Sequence, residues 1–240
     1  MLLALYNARI YKTFNLLTSW VYKITMNKKT KIGAWVLAIS LLFGILASIP
    51  PVRFIAYIIY LNNTETTEFS VNNTELFING YLNSKTYDQF MAIIEENPQI
   101  ETLVEGDSMH GSTDDEIMFK LAYKVRELGL NTKILPDAVI ESGAVDLFLA
   151  GKERIIVEGP DGKFPRIGVH SWSDGITDAK DFPKDSPEHE ENRKYIEKML
   201  GNDSFYWFTI YAAPANNIYK MSKDEVLEYN VATQVITLSD

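Results

Sequence analysis

Ser142 and His170 are the two residues of this sequence whose types and settings could do nucleophilic chemistry. Ser142 begins an apolar, helix-like run within ESGAVDLFLAGKER, and His170 ends a short apolar segment within RIGVHSW. A serine hydroxyl is a weak nucleophile until a base takes its proton, and histidine is the usual base. If the fold brings the two side chains together, they form the reacting pair of a hydrolase.

Each of these residues also has a purely structural interpretation. Serine is common immediately before a helical run, where its side chain caps the helix, so Ser142 could be an N-cap and nothing more. His170 could be a hydrogen-bonded residue at the end of a strand. The chain has only three histidines. The third of them, His189, stands among glutamates and is expected to be a solvated helix residue.

The composition excludes several other classes of function. With 240 residues, of which 46% are hydrophobic and 23% charged, the chain is globular and long enough for one domain plus an additional segment. A net charge of −9 argues against nucleic acid as a partner. Because there are no cysteines, a disulfide, a thiolate zinc site and a cysteine nucleophile are impossible. The scattered histidines predict no metal site, and no cofactor is implied.

The elements that would position Ser142 and His170 alternate between short strands and helices. From about residue 74 this pattern predicts an α/β layered domain. A glycine-bearing loop is expected at 106–112, and Ser222 with Glu225 forms a capping box at a late helix. Strands are predicted at 75–80, 101–105, 132–135, 166–170 and 231–238, and helices at 87–96, 114–128, 142–150, 188–200, 205–213 and 222–229.

The N-terminal part of the chain predicts a membrane segment. Residues 34–49 carry no charge, a proline pair follows, and a second apolar run ends at residue 61. Lysines at 28, 29 and 31 precede the segment, so the positive-inside rule places the N-terminus in the cytoplasm. We therefore expect a single-pass protein of the cytoplasmic membrane, with its C-terminal domain outside, periplasmic or extracellular. An uncleaved signal anchor is favoured over a cleaved signal peptide and over a buried core helix.

These features divide the chain into four predicted parts. Residues 1–32 form a cytoplasmic lead-in, 33–61 the signal anchor or transmembrane helix, 62–73 a polar linker, and 74–240 the folded domain. The lead-in has two open interpretations. It is a basic amphipathic segment, or residues 1–25 are an upstream extension of a chain that starts at Met26, where MNKKTKIG resembles the beginning of a signal sequence.

Five segments, in order, resemble the ClpP/crotonase superfamily, and more closely its bacterial membrane-anchored or periplasmic branch of predicted hydrolases. They are ELFING, VEGDSMHGSTDD, ESGAVDLFLAGKER, RIGVHSW and MSKDEVLEYNVATQVI. The resemblance implies a ClpP/crotonase-like spiral of ββα units, here preceded by an N-terminal transmembrane helix. It also implies that the chain forms a homo-oligomer.

The resemblance assigns roles to particular residues. Ser142 would be the nucleophile, His170 its general base, and the backbone N–H groups of Gly111 and Gly143 the oxyanion hole. Fixed donors of this kind stabilise the tetrahedral oxyanion by roughly 3–4 kcal/mol each. The sequence departs from the family at two places: His110 occupies the position of a glycine, and no acid occurs near Pro214, where the family has its third catalytic residue.

Three residues are candidates for that third member. Asp146 lies one helical turn after Ser142 and shares its face. Asn216 and Asn217 stand in the AAPANN segment and could orient the imidazole, as an asparagine does in Cys-His-Asn sites. Asp174 and Asp178, in a loop after His170 that is expected to be flexible, stay open beside them, and the sequence does not choose.

Three functions are compatible with these features. The first is a membrane-anchored extracytoplasmic serine hydrolase, a peptidase or esterase that acts on a peptide or ester substrate. The second is a non-catalytic ClpP-like scaffold that binds a peptide or a partner protein, which the missing acid favours. The third, a crotonase-type acyl-CoA enzyme, is weaker because a location outside the membrane would deprive it of CoA.

Overall fold

The computed structural model of the protein describes residues 67–238 and part of the segment before them. Between residues 36 and 60 it describes positions 36, 37, 39–42, 44, 45, 49, 52, 53, 55–57, 59 and 60. The predicted lead-in, 1–32, therefore lies outside the described residues, and the predicted anchor and linker lie partly outside them. Among the described residues, no helix combines the length and the apolar character that a membrane crossing requires.

Residues 67–238 form a layered α/β structure, which confirms the α/β part of the predicted fold class. The six α-helices of this part are α1 (Thr86–Glu96), α2 (Asp115–Leu128), α3 (Gly143–Leu149), α4 (Glu190–Leu200), α5 (Ser204–Ala212) and α6 (Lys223–Glu228). Its nine strands are β1 (Thr67–Asn72), β2 (Glu75–Leu82), β3 (Thr102–Ser112), β4 (Asn131–Ile134), β5 (Val139–Glu141), β6 (Arg154–Glu158), β7 (Arg166–Val169), β8 (Tyr219–Lys220) and β9 (Gln234–Thr237).

The strands form one mixed sheet with β3 at its centre. The hydrogen-bonded order is β8-β7-β5-β3-β4-β6-β9, and β2 pairs with both β1 and β3. The β1–β2 and β7–β8 pairs are antiparallel, whereas the other pairs of this sheet are parallel. The first half of β3 pairs with β4 and its second half with β5, so this one strand connects two parts of the sheet.

Several segments differ from the sequence-based expectation. Strands β5, β6 and β8 lie where no strand was predicted. The predicted linker 62–73 contains strand β1, whose alternating Thr67, Phe69 and Val71 match a strand paired with β2. The predicted loop at 106–112 is instead the second half of β3. It stays extended despite its glycines because it pairs with β5 on one side and with β2 on the other, across register shifts. The predicted domain boundaries themselves stay predictions.

The helix ends follow the capping chemistry of the sequence. Asp114 accepts a hydrogen bond from the Ile117 amide at the start of α2, and Gly129 ends this helix with a left-handed φ of 68°. Ser222 and Glu225 form the predicted capping box at α6. The helices cover the sheet with apolar side chains such as Phe90, and Phe148, both fully buried.

Candidate active site

Three neighbouring parallel strands end at the same edge of the sheet, and the predicted site residues lie at or just after their ends. β3 pairs with β5, and β5 pairs with β7, each in parallel orientation. Gly111 lies at the end of β3, Ser142 directly follows β5, and His170 directly follows β7. Because the carboxyl ends of parallel strands meet at one edge, sheet topology alone brings together residues that are distant in sequence.

Ser142 occupies a sharp turn between β5 and α3. Its φ of 56° and ψ of −130° are unusual for a residue with a side chain. The Ser142 amide donates a hydrogen bond to the Gly168 carbonyl oxygen at 3.0 Å, which ties the turn to β7. The Ser142 side chain does not cap α3. Ser142 thus stands at the N-cap position of α3, but the capping hydrogen bond of its side chain is not observed.

Gly111 and Gly143 both lie in tight contact with this turn. A Cβ atom on Gly111 would lie 2.9 Å from the Ser142 Cβ, and Gly111 has a φ of 109°. A Cβ atom on Gly143 would lie 2.8 Å from the Ser112 Cβ. The two glycines predicted to form the oxyanion hole thus flank Ser142, one from β3 and one as the first residue of α3.

The imidazole of His170 is oriented by the main chain. Its Nδ1 lies 2.8 Å from the Ser171 carbonyl oxygen. Because a carbonyl oxygen can only accept a hydrogen bond, Nδ1 carries the proton and Nε2 of the neutral ring has a free lone pair. Burial lowers the pKa of His170, an effect that the Ser171 hydrogen bond and the negative charges of Glu141 and Asp178 partly offset. The ring therefore stays neutral and basic at neutral pH.

The carbonyl that holds His170 is itself fixed by two loops. The buried Ser171 donates its amide to the Ala213 carbonyl oxygen at 2.9 Å. Asp178 accepts a hydrogen bond from the Ala215 amide at 3.0 Å through Oδ2. The segment around Pro214 is thus held by an acid from the loop after His170. The sequence left Asp178 as one open possibility in a loop expected to be flexible, because only the folded chain brings it to this segment.

The three predicted candidates for a third catalytic member have different positions. Asp146 lines the same cavity as Ser142 and His170. Asn216 and Asn217 are exposed and do not line it, and the Asn217 Oδ1 accepts a hydrogen bond from the Ile218 amide at 2.9 Å. The structure therefore gives neither asparagine a position beside His170.

Ser142 and His170 both line one cavity of about 60 Å³. In the described part of the chain no hydrogen bond joins the Ser142 hydroxyl to His170. Such hydrogen bonds are often long before substrate binds. The other lining residues come from α2, α3, α4, α5, β7 and the segment after β7: Asp115, Met118, Gly143, Val145, Asp146, Val169, Trp172, Asn192, Ile196, Phe205, Tyr206 and Thr209.

His189 supports one wall of the cavity, contrary to the prediction of a solvated residue. It is 1% exposed, and its Nδ1 lies 2.6 Å from the Tyr206 hydroxyl. The Trp172 Nε1–H donates to the same hydroxyl at 3.2 Å. The neighbouring glutamates made an exposed position the natural prediction. His189 ends a short 3₁₀ turn (Pro187–His189) and is buried, whereas those glutamates are exposed.

Metal ligands do not assemble in the described part of the chain. No group of three or more histidine or acidic side chains there is placed to hold a metal ion.

Comparisons with known proteins find similarity at the level of structure. No protein-family model matches the sequence, and no curated protein matches it. The fold resembles that of ClpP and of crotonase-type enzymes. ClpP1 from Listeria monocytogenes is 15% identical with a TM-score of 0.49, and the match covers 70% of this chain and 94% of that chain.

Two further solved structures are also similar to this chain. A mutant of the 1510-N membrane-bound stomatin-specific protease is 18% identical, with a TM-score of 0.44 and coverage of 69% of this chain and 81% of that chain. An enoyl-CoA hydratase from Shewanella pealeana is 10% identical, with a TM-score of 0.43 and coverage of 74% and 71%. Proteases and crotonase-type enzymes thus both occur among the similar structures.

Proposed function

We propose that the protein is a serine hydrolase of the peptidase or esterase type, with Ser142 as nucleophile and His170 as general base. The observation that carries the proposal is the geometry of Ser142. It sits on a strained turn between a strand and a helix, leaves its hydroxyl unused for capping, and shares a cavity with an imidazole whose Nε2 is unprotonated.

The chemistry follows from these groups. The Ser142 Oγ attacks a carbonyl carbon while its proton passes to the His170 Nε2, and the backbone N–H groups of Gly111 and Gly143 stabilise the oxyanion. When the carbonyl–heteroatom bond breaks, His170 returns the proton to the departing amine or alcohol. A water molecule, deprotonated by the same imidazole, then attacks the acyl carbon. The bond from that carbon to the Ser142 Oγ breaks, the imidazolium returns the proton to the Oγ, and the acid is released.

In this proposal the main chain and a remote acid replace the usual third catalytic residue. The Ser171 carbonyl fixes the tautomer of His170, and the negative charge of Asp178 favours the imidazolium that forms during attack. Membrane attachment and an extracytoplasmic location belong to the same proposal. They are supported by the uncharged run at 34–49 and by the lysines before it.

The test is covalent labelling of the full chain, purified in detergent, with a fluorophosphonate probe. We expect wild type and the exposed-serine control Ser204→Ala to label, and Ser142→Ala and His170→Ala to lose labelling while keeping the wild-type thermal midpoint. Labelling that survives in Ser142→Ala would contradict the assignment of the nucleophile. Location is tested by protease accessibility of the C-terminal domain in intact cells.

A non-catalytic scaffold is the second candidate function. The absence of a hydrogen bond from the Ser142 hydroxyl to His170 among the described residues favours it, as does the lack of a carboxylate on the His170 Nδ1. A folded wild type that resists the fluorophosphonate would support the scaffold over the hydrolase.

A further inference from the structure

The cavity beside Ser142 and His170 has two carboxyl groups in its lining. Asp146 and Asp115 contribute them, and none of the described residues that line the cavity is a lysine or an arginine. Asp115 forms no ion pair with any described residue. The cavity therefore carries acidic groups next to the proposed nucleophile without a cation of the protein to balance them.

Asp146 is well placed to contact the part of a substrate next to the reacting carbonyl. It lies one turn after Ser142, so the two Cα atoms are about 6 Å apart along the axis of α3. Its side chain makes no hydrogen bond or ion pair with any described residue, although its main-chain carbonyl accepts one from the Tyr195 hydroxyl at 2.5 Å. The carboxyl group is thus available to a ligand.

The electrostatic state of Asp146 fits a group that lacks its partner. Burial and, to a smaller extent, the nearby charge of Asp115 together raise the pKa of Asp146 to about 7. A cation in the cavity would lower the pKa of Asp146, because it attracts the ionised carboxyl and compensates the repulsion between the two acids. Ligand binding and ionisation of Asp146 would favour each other.

The walls of the cavity suit an aliphatic chain that ends in a charge. Met118 and Ile196 supply apolar contacts, and the rings of Trp172 and Tyr206 can pack against methylene groups or a cation. A volume of about 60 Å³ accommodates a slim chain better than a bulky ring. Lysine and arginine side chains have this form.

We propose that the cavity selects a substrate in which an alkylammonium or guanidinium side chain stands next to the carbonyl attacked by Ser142. Asp146 and Asp115 are the specificity-determining residues, and the proposal rests on the hydrolase function proposed above. A protein with these contacts is a peptidase or esterase for basic residues.

The test compares two fluorophosphonate probes of equal chain length, one ending in an ammonium group and the other in a methyl group. Their second-order inactivation rates are measured on the full chain. In wild type we expect the ammonium probe to react about ten- to a hundredfold faster, the range expected when a partly buried charge gains a partner. In Asp146→Asn and Asp115→Asn this preference falls about tenfold or more, while the methyl-probe rate changes by less than about threefold.

The exposed Asp88→Asn is the matched control, since it removes one negative charge from α1 away from the cavity. It should keep the wild-type preference, and all variants should keep the wild-type thermal midpoint. Equal rates for the two probes in wild type, or a preference that persists in both cavity variants, would overturn the specificity and leave the hydrolase function standing. If neither probe reacts with Ser142, the hydrolase function fails, and the specificity fails with it.

Discussion

Gly111 packs directly against Ser142, and the contact leaves no room for a side chain at residue 111. A Cβ atom there would lie 2.9 Å from the Ser142 Cβ and 3.4 Å from its Oγ. Gly111→Ala should therefore displace the proposed nucleophile and the adjacent amide. We expect fluorophosphonate labelling to slow about a hundredfold, as when one oxyanion-hole donor is lost.

Gly129→Ala is the control for this variant. Gly129 also has a positive φ, 68°, but nothing lies within 4 Å of the Cβ it would gain. The Gly129→Ala variant should have a free energy of unfolding about 1 kcal/mol lower than wild type, through backbone strain alone, and an unchanged labelling rate. Equal labelling of Gly111→Ala and wild type would contradict the proposed role of the contact.

The backbone of Ser142 predicts a conflict between stability and function. Its φ of 56° and ψ of −130° favour glycine, and such a conformation costs a residue with a side chain about 1–3 kcal/mol. Ser142→Gly and Ser142→Ala both lose the hydroxyl and should both lose labelling. We expect the glycine variant to be more stable than the alanine variant by about 1 kcal/mol in urea denaturation.

An exposed helical position should show the opposite order. At Lys194 in α4, glycine should be less stable than alanine by about 1 kcal/mol, because helix propensity is the only difference between the two variants. If Ser142→Gly is also less stable than Ser142→Ala, the turn at Ser142 is not strained.

The charge of Asp178 should be visible in the pH dependence of labelling. Labelling requires neutral His170, so its rate should rise with pH through the pKa of His170, which burial holds below the ordinary value of 6.5. Asp178 raises this pKa, and Asp178→Asn removes the charge while keeping an oxygen for the Ala215 amide. The midpoint of the profile should therefore move to lower pH.

Asp174→Asn is the matched control for that shift. Asp174 lies in the same loop and accepts hydrogen bonds from the Ile176 and Thr177 amides, which asparagine can also accept. It should leave the midpoint where wild type has it. An unchanged midpoint in Asp178→Asn would show that Asp178 acts only by fixing the loop.

The sequence predicted those features of the fold that depend on local chemistry. Asp114 and Gly129 mark the two ends of α2 because a carboxylate can cap an amide and glycine can adopt a left-handed conformation. Ser142 and His170 were singled out for a related reason, since Ser142 begins an apolar, helix-like run and His170 ends a short apolar segment. Local patterns of this kind identify which residues stand at the ends of elements.

Features that depend on contacts between distant segments were missed. The stretch 106–112 contains two glycines and looks like a loop, yet pairing with β2 and β5 makes it strand. His189 has charged neighbours, yet the Tyr206 hydroxyl holds it inside. Asp178 reaches Ala215 only in the folded chain. Each of these outcomes is decided by a partner that no local pattern specifies.

The preference for the ammonium probe should depend on pH through Asp146. Because its pKa is raised to about 7, first by burial and then by Asp115, the carboxyl is mostly protonated at low pH and ionised at high pH. The ratio of the two inactivation rates should therefore rise between about pH 6 and pH 8. Both probes need neutral His170, so its titration cancels in the ratio. In Asp146→Asn the ratio should be nearly flat, and an equally steep rise there would exclude Asp146 as the source.

Glu105 should make the folded protein less stable as pH rises. It is fully buried in β3, and neither of its side-chain oxygens has a hydrogen-bond partner in the described part of the chain. Burial, with a smaller effect of Asp146, raises its pKa well above the ordinary value of 4.5. The unfolded chain therefore loses this proton at a lower pH than the folded chain, and the free energy of unfolding falls by up to about 1.4 kcal/mol per pH unit above the unfolded pKa.

Glu105→Gln cannot titrate and should remove this part of the pH dependence, whereas the exposed Glu95→Gln should leave it in place. Glu105→Met fills a similar volume without an unpartnered polar group, so it should exceed wild type in stability by about 1–3 kcal/mol near neutral pH. Urea denaturation of the full chain between about pH 5 and pH 8 measures both effects. A slope in Glu105→Gln equal to that of wild type would mean that Glu105 is ionised in the folded protein, and would require a buried partner that stabilises its charge.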